Sequence, residues 1–200
     1  MSRYAMVIDL ARCNGCNACV VACKVEHNSP NGIVLTAILE AERGQYPQAN
    51  RIFFPVLCNH CERPPCVPVC PSKATTVRDD GIVLVDWVKC IGCGACAQAC
   101  PYDQRFYVKD NRVGFPGAGE GFTKPGTFKP PRGVVVKCDF CFHRVDEGLQ
   151  PACVTVCPTD ARIFGDRDEP QSRINQLIAR NNAWSLLPDK GTRPCVYYVG

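Results

Sequence analysis

Apolar and polar positions along this 200-residue chain form only short patterns. Runs rich in β-prone residues occur at 4–8, 52–56, 82–85, 134–136 and, marginally, 163–164, each bounded by charged or turn-forming residues. They predict small antiparallel hairpins rather than one large sheet. Helical periodicity is equally scarce. A helix is expected over residues 19–27, continuing past Cys23 because Lys24, not proline, follows it. Asp168-Glu169-Pro170 supplies a helix start, and Ile174, Leu177 and Ile178 then form one apolar stripe ending near Asn181 and Asn182. That helix is expected to pack on the body. Residues 109–133 hold six Gly and four Pro without periodicity and read as a long irregular loop. Residues 193–199 read as an extended tail, in a strand or held by a partner.

Composition changes the picture through one residue type. The chain has 17 cysteines; without them only roughly 38 % of it is apolar, a thin supply beside 17 Pro and 16 Gly. Something other than side chains is expected to fill the core. No apolar run approaches the roughly 20 residues of a membrane span, and mean hydropathy is −0.10. The first apolar run stops at Asp9, too short for a signal-peptide core, so no export signal of its own is expected. The formal charge of +4 is scattered, which argues against a nucleic-acid partner.

The cysteine spacing decides the chemistry. Cys13, Cys16, Cys19 and Cys23 form C-x2-C-x2-C-x3-C, and Cys90, Cys93, Cys96 and Cys100 repeat it. This is the bacterial ferredoxin run. Cys58, Cys61, Cys66 and Cys70 form C-x2-C-x4-C-x3-C, while Cys138, Cys141, Cys153 and Cys157 form C-x2-C-x11-C-x3-C. A disulfide framework would need an oxidising compartment, and structural zinc typically uses two separated C-x2-C pairs. Sixteen thiolates in four quartets match four [4Fe-4S] clusters, leaving Cys195 over. Three cysteines two residues apart can wrap one cube on a tight loop, which Gly15, Gly92 and Gly94 permit. The fourth is expected to start a short helix and serve the other cluster of a pair. Pro71, Pro101 and Pro158 then turn the chain away.

An internal repeat supports pairing. Residues 9–23 match residues 86–100 at eight of fifteen positions, and Cys66-Val-Pro-Val-Cys-Pro71 echoes Cys153-Val-Thr-Val-Cys-Pro158. Only 19 residues separate Cys70 from Cys90, against 34 between Cys23 and Cys58 and 37 between Cys100 and Cys138. The second and third motifs are therefore expected to form one compact unit, residues 51–108. The first and fourth would close around it from residues 1–50 and 134–168. The expected fold class is α+β: two nested ferredoxin-like units with short hairpins, short helices and long irregular loops, followed by a helix and tail over 169–200.

The order of the four motifs, the opening Tyr4-Ala-Met-Val-Ile-Asp-Leu-Ala-Arg-Cys13, Cys58-Asn-His-Cys-Glu-Arg-Pro-Pro-Cys66, Gly81-Ile-Val-Leu-Val-Asp86 and Cys100-Pro-Tyr-Asp103 carry a resemblance. So do Phe164-Gly-Asp166 and Gly191-Thr-Arg-Pro194. The chain resembles the four-cluster iron–sulfur subunits of the dimethyl-sulfoxide reductase family of molybdopterin oxidoreductases, to which polysulfide, thiosulfate and respiratory arsenate reductase small subunits are similar. The resemblance implies one cluster on Cys13, Cys16, Cys19 and Cys157 and a second on Cys138, Cys141, Cys153 and Cys23. It implies a third on Cys58, Cys61, Cys66 and Cys100, and a fourth on Cys90, Cys93, Cys96 and Cys70. It also implies a non-catalytic electron-transfer role between a larger molybdopterin subunit and a quinone-linked membrane subunit or soluble carrier. The expected location is the periplasm, membrane-associated, by co-export with a signal-bearing partner, with the cytoplasm as the alternative. A free-standing polyferredoxin is the competing function.

Other residues carry weaker expectations. His60 is read as a packed histidine or a donor to a cluster sulfur, with His27 and His143 having smaller claims. Cys195 is read as a structural thiol, Trp87 and Tyr102 as shields of the clusters, and Lys24 as a charge near one. One or both of the 109–133 loop and the tail, with Val196, Tyr197, Tyr198 and Val199, are expected to be ordered by the larger molybdopterin subunit.

Overall fold

The computed structural model describes residues 2–112, 130–180 and 182–200. In chain order the elements are β1 (Tyr4–Asp9), α1 (Ala18–Glu26), β2 (Thr36–Arg43), β3 (Asn50–Leu57), β4 (Thr75–Val77), β5 (Val83–Val85) and α2 (Ala95–Gln98). They continue with β6 (Phe106–Tyr107), β7 (Val135–Val136), α3 (Phe142–Val145), α4 (Ala152–Thr155), β8 (Arg162–Asp166), α5 (Arg173–Arg180) and β9 (Val196–Val199). The fold is mixed α+β with short elements, as the patterning predicts. Every predicted strand run falls in or overlaps a strand, and the two predicted helices form as α1 and α5.

The largest sheet has the order β8–β1–β9. β1 pairs antiparallel with β8, from Tyr4 opposite Asp166 to Ile8 opposite Arg162, and parallel with β9, from Met6 opposite Val196 to Asp9 opposite Val199. Both faces of β1 are covered, which is why its sequence reads as a continuous apolar run rather than an alternation. Met6 and Ile8 enter the main core with Leu57, Phe140 and Tyr198, whereas Ala5 and Val7 pack under α5 with Ile163, Ile174 and Val199. α5 lies close enough that a Cβ added to Gly165 would meet Ile174 at 3.6 Å.

β9 overturns one expectation. The tail from Cys195 to Val199 is not an unsatisfied appendage: Val196 and Tyr198 have no exposed surface, and Cys195 and Val199 are buried with them. Tyr198 stacks on Phe54 at 4.7 Å, and its hydroxyl donates to the Pro55 carbonyl at 3.0 Å. The physical reason is that β1 needs a neighbour on each edge. A parallel partner nearly the whole chain away leaves no periodic cue.

Three two-stranded ribbons complete the described structure. β2 and β3 form a hairpin whose far end, residues 39–51, is exposed. β6 and β7 bring Val108 and Val134 together at the base of the loop. The rest of the expected 109–133 loop, residues 113–129, lies outside the described residues. β4 and β5 pair Thr75 with Val85. Thr75 stands five residues after Cys70 and Val85 five before Cys90; in β8 and β1, Arg162 stands five after Cys157 and Ile8 five before Cys13. The two hairpins thus share one register relative to their cysteines.

A second correction concerns the short helices. The third cysteine of its motif, not the fourth, lies inside α2 (Cys96) and α4 (Cys153), and the fourth follows the helix end; in α1 both Cys19 and Cys23 are helical. Three to four residues make one turn, so a cysteine three or four places on faces the same side as the turn's start. Lys24 lies within electrostatic reach of Cys23, and it has a further task. Its ammonium donates to the carbonyls of Ser29, Pro30 and Ile33 at 3.2, 3.0 and 3.1 Å, stapling the loop after α1.

Candidate metal centres

The cysteine loops are shaped by left-handed backbone positions and carboxylate turns. Gly15 and Gly92 have φ of 71° and 68°, and a Cβ there would fall 2.2 Å from the Phe53 ring and 2.0 Å from the Gly133 carbonyl. Neither position tolerates a side chain. Ahead of these loops, Asp9 accepts from the amides of Ala11 and Arg12, and Asp86 accepts in the same way from Val88 and Lys89. The repeat seen in the sequence is therefore a repeat of hydrogen bonds. In the other two loops, His60 and Phe140 occupy the same place between two cysteines, both with positive φ (42° and 56°). Their rings stack at 3.7 Å between centroids.

Cysteines from different motifs are brought together. One cavity is lined by Cys13, Cys16, Cys19 and Cys157, and another by Cys70, Cys90, Cys93 and Cys96. Cys23 lies within electrostatic reach of Cys138, Cys141 and Cys153, and Cys61 within reach of Cys58, Cys66 and Cys100. Cys195 joins none of these groups; it packs under α5, as a structural thiol would. Exposure is graded. Cys23, Cys138, Cys141 and Cys153 are all buried, whereas Cys16 and Cys93 are exposed at the outer sides of their groups.

Protonation shows what these sites lack by themselves. Burial pushes the Cys61 thiol up to about 12, with Cys58, Cys66 and Cys100 adding to it, and pushes Cys23 and Cys138 well above the ordinary thiol range. Such sulfurs become thiolates only against a strong positive charge. Hydrogen bonds already treat several sulfurs as acceptors. The Ala74 amide donates to Cys70 and the Ala161 amide to Cys157, each at 3.2 Å. At Cys70 and Cys157 burial alone would raise the thiol, yet these and neighbouring donors hold it below the usual value. All 17 cysteines are free of disulfides. Convergent thiols, no disulfide and sulfur-directed donors fit an iron–sulfur ligand set.

Comparison with known proteins agrees. A family model described as a 4Fe-4S dicluster domain matches residues 49–114 and 127–167, and one described as a 4Fe-4S binding domain matches residues 10–26. The chain is 43 % identical to a Halobacterium salinarum protein named provisionally as a dimethyl sulfoxide reductase iron–sulfur subunit, over 100 % of this chain and 79 % of that protein. It is 42 % identical to a subunit of the tetrathionate reductase of Salmonella typhimurium (99 % and 72 % covered). It is also 38 % identical to the arsenate respiratory reductase iron–sulfur subunit of a Shewanella species (98 % and 96 %). The chain belongs to the family of iron–sulfur subunits of molybdopterin oxidoreductases. An iron–sulfur subunit of this kind transfers electrons and leaves bond chemistry to the catalytic subunit.

Residues around the thiols divide between expected and missed. His60 is fully buried, and its Nδ1 accepts from the Val83 amide at 3.1 Å. The ring is packed, and burial, then the nearby Lys137, pushes its pKa well below the usual histidine value. His27 does more than expected, with Nε2 3.3 Å from Cys141 Sγ and 3.4 Å from Asp139. His143 instead pairs with Glu26 at 2.8 Å. Tyr102 bonds Thr192 through its hydroxyl. Three buried cations were not singled out in the sequence: Arg105, Lys137 and Arg162. Each is a lone charge in an otherwise ordinary stretch, and the signal that could have found Arg162 is its place in the repeat, where the related motif has Thr75.

Proposed function

We propose that the chain is a relay of four [4Fe-4S] clusters carrying single electrons between a molybdopterin catalytic subunit and a second redox partner, either a quinone-linked membrane subunit or a soluble carrier. The observation that carries the reading is the cavity in which Cys157 joins Cys13, Cys16 and Cys19 across most of the chain. Cys13, Cys16, Cys19 and Cys157 would hold one cluster, and Cys23, Cys138, Cys141 and Cys153 the next. Cys58, Cys61, Cys66 and Cys100 would hold the third, and Cys70, Cys90, Cys93 and Cys96 the fourth. Bound there, a [4Fe-4S] cluster supplies a reversible one-electron couple.

The shared register of β1–β8 and β4–β5 supports two nested ferredoxin-like units, residues 51–108 inside residues 1–50 and 134–168. The graded burial supports a line of sites with a buried middle and two accessible ends. Its buried middle excludes water, while Cys16 and Cys93 bring the two ends to the surface where partners can dock. A cluster with its four thiolates carries a net charge of about −2, so the holo chain would move from +4 to about −4. We place the complex in the periplasm by co-export with a signal-bearing partner, the cytoplasm being the alternative; no helix among the described residues is long and apolar enough to cross a membrane.

Anaerobically purified protein should carry about 16 iron and 16 sulfide per chain. Cys157→Ser should disturb the same paramagnetic signal as Cys13→Ser, and Cys100→Ser the same signal as Cys58→Ser. A Cys157→Ser effect on the signal held by Cys90 would overturn the ligand sets, and iron near 12 would overturn the cluster count.

A further inference from the structure

Arg105, Lys137 and Arg162 are buried, and none has a carboxylate within ion-pair distance among the described residues. A buried charge without a counter-charge costs several kcal/mol, so the anions each one faces matter. Arg162 donates to Thr36 Oγ1 at 2.9 Å, lines the cavity of Cys13, Cys16, Cys19 and Cys157, and lies within electrostatic reach of Cys153, Cys138 and Cys23. Arg105 donates to Thr75 Oγ1 at 3.1 Å and to Cys66 Sγ at 2.9 Å, with Cys58 and Cys96 also in reach. Lys137 precedes Cys138, donates to the carbonyls of Cys138 and Val83, and lies near Cys66. Cys138 in turn lies near Cys58.

Sorted by the proposed quartets, the three cations fall in three different places. Arg162 lies between the first and second, Lys137 between the second and third, and Arg105 between the third and fourth. The geometry points to one fixed cation at each junction between neighbouring clusters, so that every electron hop along the relay takes place beside a positive charge shared by the donor and acceptor sites. This deepens the four-cluster reading and rests on it.

The physical consequence follows from sign. Each one-electron reduction adds a negative charge at a quartet, and the cation, itself neither oxidised nor reduced, stabilises that added charge wherever along the junction it sits. A shared cation therefore raises both adjoining potentials. Thr36 and Thr75 act as positioning residues, each holding one guanidinium by its hydroxyl.

The test uses the full chain in its complex, with Arg162→Gln, Arg162→Lys, Arg105→Gln and Arg105→Lys. Iron and sulfide are counted first, then each signal is followed by electron paramagnetic resonance during redox titration. Signals are assigned with single Cys→Ser variants. Arg162→Gln should lower the potentials of the Cys13 and Cys23 quartets by at least tenfold in their reduction equilibria, about 59 mV, and leave the Cys70 quartet within threefold. Arg105→Gln should lower the Cys58 and Cys70 quartets in the same way and leave the Cys13 quartet within threefold, and each Lys variant should restore most of the shift. Unmoved potentials, a shift confined to one signal or spread over all four, or a Lys variant as shifted as its Gln counterpart would overturn the proposal. Iron lost from the Gln but kept in the Lys variant supports it; iron lost from both shows a packing role and overturns it. Wild-type iron near 12 would instead overturn the four-cluster reading beneath it.

Discussion

The β1–β8 pair and the β4–β5 pair stand in the same register to their cysteines, yet only the first belongs to a larger sheet. β9 covers the open edge of β1, and α5 covers the face made by Ala5, Val7 and Ile163. Around β4 and β5 the corresponding cluster of buried side chains is Cys66, Val83, Cys96 and Val135, half of it cysteine. The outer pair has an aliphatic core of its own, while the inner pair leans on whatever its thiols hold. Even the buried cation is supplied differently. In the outer pair it is Arg162 on the strand itself; in the inner pair Thr75 takes that place and Arg105 arrives from outside.

The largest effect that can break this comparison is removal of iron. Chelation should unfold most of the chain, because binding free energy here is folding free energy. Amide exchange should show β4 and β5 losing protection first and β1 last. Equal protection in the two pairs, or unchanged circular dichroism in fully apo protein, would show that the inner pair has a sufficient core without its clusters. Deleting residues 194–200 comes next. The sequence pattern alone predicts that this leaves iron in place and weakens only the complex; burial of Val196, Tyr198 and Val199 reverses that expectation. Three such side chains contribute on the order of 5 kcal/mol, so the deletion should lower the melting temperature steeply and shed iron from the Cys13 quartet.

Smaller changes sharpen the contrast. Ile174→Ala empties the contact between α5 and Gly165 and should cost about 2–5 kcal/mol in thermal unfolding with iron content unchanged, since no cysteine quartet lies on that face. The smallest effect concerns Arg78, beyond the end of β4, which donates to Asp146 after α3 at 2.6 and 3.0 Å. That bond holds the Asp146 carboxyl below the usual carboxylate range. A depressed folded pKa means that the stabilisation is present above the unfolded value and is lost as pH falls through the folded one. Both groups are partly exposed, so a double-mutant cycle should read below about 1 kcal/mol at neutral pH and vanish in acid.

The four cysteine motifs and their 4Fe-4S character were legible because iron coordination imposes spacing on sequence, and spacing survives without any knowledge of packing. The β5 and β1 runs were legible for a related reason: each must lead into a cysteine loop from a turn closed by Asp86 or Asp9. β2 was missed because Thr36–Arg43 is solvated along most of its length, so its charged residues hide the strand alternation. β9 was seen as extended but given no place, since its partner is β1 and nothing in Val196–Val199 names a strand so distant. Arg105 and Arg162 were illegible for the opposite reason to the cysteines. A single buried charge is defined by what surrounds it in space.

β1 is synthesised more than 150 residues before either of its two neighbours, β8 and β9. At about 5–20 residues per second, the first strand waits roughly ten seconds or longer, apolar on both faces and open on both edges, before either neighbour exists. β4 and β5 are joined by a short turn and can pair as soon as they emerge. Assembly during synthesis therefore starts with the β4–β5 pair, and the arrival of β8 and then β9 is the event that completes the sheet around β1.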